Sequence, residues 1–166
     1  MSSQGFGVNP GKTFTTTDLP LPVGVGSVGK TPYGTWMFVQ ADGAIDQYAF
    51  VKITDDGQAA MLTQSNDSAI LQAGVAQVAA ANDEYLWVWV GGVGGGGVGS
   101  GVKGKVAASY AADAALYTTT SAGVADDLAT APAVQIVGAV GLTTDSGSGS
   151  AVELKSMGYL SINLTA

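Results

Sequence analysis

The hexapeptide YLWVWV at residues 85–90 constrains this chain more than any other stretch. Strand alternation puts Tyr85, Trp87 and Trp89 on one side and Leu86, Val88 and Val90 on the other, and both sides are apolar. Such a strand must be covered on both faces, so the fold needs packed layers around it. Two tryptophans at this spacing belong to a core or a subunit interface, although an aromatic stripe also fits a sugar-stacking platform. The strand runs into GGVGGGGVGSG, residues 91–101. This is read as a glycine-rich loop, either mobile or a place where backbones of several subunits approach closely. Residues 85–102 carry no charge, but eight of them are glycine, which weakens a helix by about 1 kcal/mol each. No membrane-spanning helix and no membrane partner are expected.

The rest of the chain has the texture of short strands separated by turn signals. WMFVQ leads through Ala41-Asp42-Gly43 into AIDQYAF, and FVKI leads through Asp55-Asp56-Gly57 into QAAML. Both read as Asp-Gly hairpins, because Asp tolerates and Gly favours positive φ at the tip. SAILQAGVAQVAAAND, 68–83, reads as strand from its alternation after Gly74, although its alanines also permit a helix. KVAASY, ALYTTT, a turn at Ser121-Ala122-Gly123, the apolar run VQIVGAVGL, the polar loop TTDSGSGS, AVELK and YLSINL follow. About ten short strands and no helix predict an all-β fold, an antiparallel barrel or sandwich.

Residues 1–30 differ in texture, with six glycines and three of the five prolines. They read as an extended arm lying on something, ahead of a single β domain at 31–166. Phe6, Phe14, Leu19 and Leu21 are its candidate anchors in grooves of neighbouring subunits, and Trp36, Trp87 and Trp89 are further interface candidates. Deleting residues 1–22 is expected to leave the β domain folded but to weaken its association with those neighbours.

The arm contains GVGSVGKT, 24–31, which has the spacing of a phosphate-cradling loop. Pro20 and Pro22 bar a central strand before it, and Pro32 with Gly34, Thr35, Trp36 and Phe38 bars a helix after it. Anion binding draws on that helix terminus, so the stretch is read as a flexible linker.

Charge and chemistry narrow the function. Charged residues make up 11% of the chain against about 25% in an ordinary soluble domain. A chain so poor in charge is expected to hide part of its exterior against other subunits; a monomer solubilised by Ser, Thr, Gln and Asn is the alternative. Net charge is −7, with six basic residues, all lysine, so no nucleic-acid partner is expected. Histidine and cysteine are absent, which removes the usual general base, the usual zinc ligand and every thiol nucleophile. The aspartate pairs sit in turn contexts and lack the pattern of a calcium loop. We expect no enzyme activity, no cofactor and no metal.

Three stretches, GVAQVAAANDEYLWVWVGG, KVAASYAADAALYTTTSAGVADD and IVGAVGLTTDSGSGSAVEL, together resemble the small β-rich capsid decoration, or head-associated, proteins of tailed bacteriophages. The resemblance spans roughly residues 74–155 and departs at the glycine insertion and at Leu86, where a glycine is common. It implies a β-barrel or β-tulip protein, a homotrimer on the capsid exterior of a virion, made in the host cytoplasm, which clamps neighbouring major capsid proteins and stabilises the expanded shell. The alternatives are a carbohydrate-binding or host-attachment head protein, with Trp36, Trp87, Tyr110 or Tyr117 stacking on sugars, and a minor tail or neck subunit.

Overall fold

The computed structural model describes residues 7–18, 20–64, 72–130, 132–145 and 149–163. Among them are twelve strands and no helix. The chain enters through β1 (Thr13–Phe14) and β2 (Val28–Thr31), then forms β3 (Gly34–Ala41), β4 (Phe50–Ile53), β5 (Gln58–Met61), β6 (Gln72–Ala76) and β7 (Tyr85–Gly91). β3 to β7 close a five-stranded barrel. Going round, β3 pairs with β7, β7 with β6, β6 with β4 and β4 with β5, all antiparallel. A parallel contact of β5 with β3 closes the ring, with Gln40 opposite Gln58 and Ala41 opposite Ala59. The expected all-β class and barrel are what the chain forms.

A barrel of so few strands has a narrow interior, and its side chains obey that limit. Val39, Val51, Ile53, Ala59, Ala76, Leu86, Val88 and Val90 make one buried cluster that contains no aromatic ring. The aromatic side of the same strands, Trp36, Phe38, Phe50, Trp87 and Trp89, points outward into a second cluster. That outer face is covered by the carboxy-terminal half: β8 (Lys103–Lys105), β9 (Leu116–Thr118), β10 (Ala125–Asp126), β11 (Gln135–Gly141) and β12 (Ala151–Asn163). Val102, Leu116, Ile136, Leu154 and Leu160 supply the covering side chains.

β12 joins the two layers. It pairs with β8 at Ala151–Glu153, with β11 on either side of a bulge at Gly138, and with β7 where Tyr159 faces Gly91. Gly138 has φ 97°, and a Cβ there would collide with the Tyr159 carbonyl, so the bulge requires glycine. AVELK and YLSINL, expected as separate strands, are one continuous element, because Ser156 and Gly158 pass through this junction without a turn.

Several local expectations are corrected. The Asp55-Asp56-Gly57 hairpin forms, with Gly57 at φ 80° and its N–H on the Thr54 carbonyl at 2.9 Å. Ala41-Asp42-Gly43 makes no hairpin, since both edges of β3 are already taken by β7 and β5. The chain instead crosses the barrel end, and Ile45 bridges Ala80. GVGSVGKT is no linker: Val28–Thr31 pairs with Gly34–Met37 as a hairpin that spans the expected arm–domain boundary. KVAASY contributes only Lys105 to a strand. The strand reading of 68–83 holds for Gln72–Ala76, while 68–71 lie outside the described residues.

The glycine run does bring backbones together, but they belong to one chain. The Gly96 N–H donates to the Tyr33 carbonyl (2.8 Å), the Gly97 N–H to Leu154 (2.8 Å), and the Ser156 N–H to Gly95 (2.8 Å). The loop is thereby stitched across β12.

Candidate functional site

Of the expected anchors, Phe14 and Leu21 lie partly buried on the chain's own outer cluster, while Phe6 and Leu19 fall outside the described residues. β1 pairs Thr13 with Leu86 and Phe14 with Tyr85, and the Phe14 ring meets Phe38 edge-on at 5.7 Å. Trp36, Trp87 and Trp89 are 2%, 3% and 0% exposed, so their rings are spent on the core. Tyr110 is buried too, its hydroxyl donating to the Ala114 carbonyl (2.7 Å) and accepting from the Gly141 N–H (3.0 Å). Burial pushes that phenol above its ordinary pKa. Of the four rings expected to stack on sugars, only Tyr117 retains partial exposure.

Two surface features remain. The first is a cleft of about 390 Å³ between the amino-terminal segment, the β2–β3 turn and the glycine loop. Pro10, Pro32, Tyr33, Tyr48 and Gln77 form its walls and the edge of Trp36 its floor. Trp36 Nε1 donates to Thr31 Oγ1 (2.9 Å), which also accepts from the Tyr33 N–H (3.2 Å). The Gln77 side-chain amide grips the Lys103 backbone at both ends, Nε2 to the carbonyl and Oε1 to the N–H, each at 2.9 Å. Tyr48 sits at φ 63°, an unusual conformation for a bulky residue.

The second feature is an apolar ridge. Along β12 the even positions 152, 154, 156 and 160 are buried, and Lys155, Met157 and Tyr159 face outward. Met157 is 69% and Tyr159 58% exposed. In the glycine loop Val93 and Val98 are 94% and 88% exposed. Val93 and Tyr159 border one hollow together with Lys30 and Pro32.

Among the described residues no group of three or more acidic side chains stands ready for a metal. Asp126, half-buried, is held above the usual carboxylate range, mainly by burial, and its Oδ1 accepts the Asp127 N–H (2.8 Å). The Asp127 carboxylate accepts the Ala111 N–H (2.9 Å), so the pair braces a loop. Asp56 is held below its usual range by the Thr54 hydroxyl within the β4–β5 turn. Lys30 lies on an exposed hairpin followed by β3 and by no helix, so the phosphate-loop geometry is absent there. No described helix is long and apolar enough to cross a membrane.

Comparison of the chain with protein-family models, with curated proteins and with solved structures gave no match.

Sequence reasoning missed both features. The cleft draws its walls from four separate stretches, and the one member singled out, Trp36, is its floor. The ridge was legible in part, since once β12 is known to be continuous the alternation of VELKSMGYL separates inner from outer residues.

Proposed function

We propose that this protein is a structural component of a tailed-phage virion that decorates the capsid exterior, bridges major capsid proteins and stabilises the expanded shell. The observation that carries the proposal is the exposed apolar pair Val93 and Tyr159, which border one hollow, with Met157 exposed two residues away on β12. Exposed apolar side chains gain free energy when a partner removes them from water, at about 25 cal/mol per Å². The strands around the ridge form a closed, two-layered body, so it is presented on a rigid support. A ligand that binds only the expanded shell stabilises it by mass action, and homotrimeric assembly would add avidity. The resemblance in residues 74–155 supports the same reading. The arm, with Phe14 and Leu21 engaged on its own chain, is a poorer candidate for the contact than the ridge.

The test is sedimentation of the protein with undecorated expanded shells over a concentration series. Saturation at a fixed simple ratio to the major capsid protein is expected, with loss of binding in the folded double variant Val93→Glu, Tyr159→Glu. Failure of the wild-type chain to sediment with shells overturns the proposal.

A further inference from the structure

Independently of the capsid reading, we infer that the cleft walled by Pro10, Pro32, Tyr33, Tyr48 and Gln77 is a docking site for an extended acidic segment of a partner protein that inserts an aromatic or proline side chain. Its volume, about 390 Å³, suits two or three side chains, and Gly11, Tyr33 and Gly101 on its margin are exposed, so a passing chain can reach it. Tyrosine, tryptophan and proline walls are the surfaces on which extended proline-bearing and aromatic segments dock.

The polar atoms of the wall define the ligand further. Thr31 Oγ1 and both ends of the Gln77 amide are occupied within the chain. That leaves no array to satisfy the many hydroxyls of a sugar, and the site selects an apolar body. The hydroxyls of Tyr33 and Tyr48 have no partner among the described residues and are free to donate to the carbonyls of a docked backbone. The positive φ of Tyr48 is a backbone strain placed at this wall, where the Tyr48 carbonyl is pinned by the Lys105 N–H at 2.8 Å.

Charge gives the sign of the partner. No Asp or Glu lines the cleft. Lys103 Nζ lies 6.0 Å from the centre of the Tyr48 ring. Asp46, two residues before Tyr48, is engaged by Lys105 (3.1 Å), and Glu153 by the Gly99 N–H (3.1 Å). In a chain of net charge −7, the cleft thus has no carboxylate in its lining and a lysine at its Tyr48 wall, which favours an acidic partner.

The test uses the full chain, ¹⁵N-labelled, titrated with a seven-residue peptide carrying a central Phe-Pro flanked by glutamates. A second peptide with lysine flanks is the control. The expected result is saturable shifts confined to Tyr33, Tyr48, the Gln77 side chain and Val102, weakening as NaCl rises from about 50 to 300 mM. Tyr48→Asn keeps a residue that tolerates positive φ while removing the ring, and should weaken binding about fivefold or more. Lys103→Glu should do the same. Absence of localised shifts at millimolar peptide overturns the inference, as does equal binding of the lysine-flanked peptide. Saturation by 8-anilinonaphthalene-1-sulfonate that the acidic peptide cannot displace also overturns it, and would assign the cleft to a small anionic aromatic. No shell is needed, so this result is independent of the capsid test.

Discussion

Replacing Phe14 by alanine tests whether the amino-terminal segment is part of the folded body. The ring is partly buried, lies edge-on to Phe38 with centroids 5.7 Å apart, and carries Lys12 Nζ 4.6 Å above its centre. A fully buried Phe→Ala change costs about 3–5 kcal/mol, so a half-buried ring accounts for about 2. The edge-to-face contact adds about 0.5–1.5 kcal/mol and the exposed cation contact about 0.5. The expected loss is therefore about 3–4 kcal/mol, which for a domain of this size lowers Tm by roughly 6–16 °C. Urea denaturation followed by tryptophan fluorescence reads it directly, since Trp87 lies 5.2 Å from Phe38. In a double-mutant cycle with Phe38→Leu, a coupling near 1 kcal/mol should appear. A loss under about 0.5 kcal/mol would show that the segment is not docked on the barrel in solution. Removal of residues 1–22 should destabilise at least as much as Phe14→Ala, because it uncovers the Phe38 and Tyr85 faces as well.

Two further perturbations probe the glycine loop and a titrating side chain. Gly96 has φ 68° and a Cβ there would strike the Leu154 carbonyl, whereas Gly94 has φ 77° and open space around it. Gly94→Ala should cost about 1 kcal/mol from backbone strain alone, and Gly96→Ala at least about 2 kcal/mol more; equal losses in chemical denaturation would refute the stitched loop. For Asp126, the folded pKa is raised above the unfolded one, so the folded state holds the proton more tightly, and stability is withdrawn as pH climbs from the ordinary aspartate range through the raised value. Asp126→Asn keeps the Oδ1 that accepts the Asp127 N–H, and should raise Tm at pH 7 with the gain fading below pH about 3; a gain independent of pH would contradict this cause.

What could be read from the chain depended on how local its cause was. The β7 strand announced itself because its two apolar faces are a property of six consecutive residues. The Asp56-Gly57 turn was legible because one loop supplies both its φ and its hydrogen bonds. Ala41-Asp42-Gly43 has the same turn chemistry and a different outcome, decided by β7 and β5, which claim the edges of β3 from far along the chain. Likewise Ser156 and Gly158 look like a break between two strands, and only the bulge opposite Gly138 and the pairing of Tyr159 with Gly91 keep β12 whole. The cleft was illegible for the same reason, since Pro10, Pro32, Tyr48 and Gln77 have no common period.

The parallel closure of the barrel ties these facts to surface chemistry. Five strands leave an interior too narrow for tryptophan, so the rings of Trp36, Trp87 and Trp89 must face outward, and there they demand a cover. β8 to β12 supply it, and in doing so consume the aromatic stripe that would otherwise serve as an interface. On this side of the molecule a partner meets what the covering layer turns to solvent. On β12 that outward face is Lys155, Met157 and Tyr159, two large apolar side chains beside one charge. Burial of the tryptophans is thus the result of one geometric limit, and it leaves the outward face of β12, rather than the aromatic stripe, available on this side of the molecule.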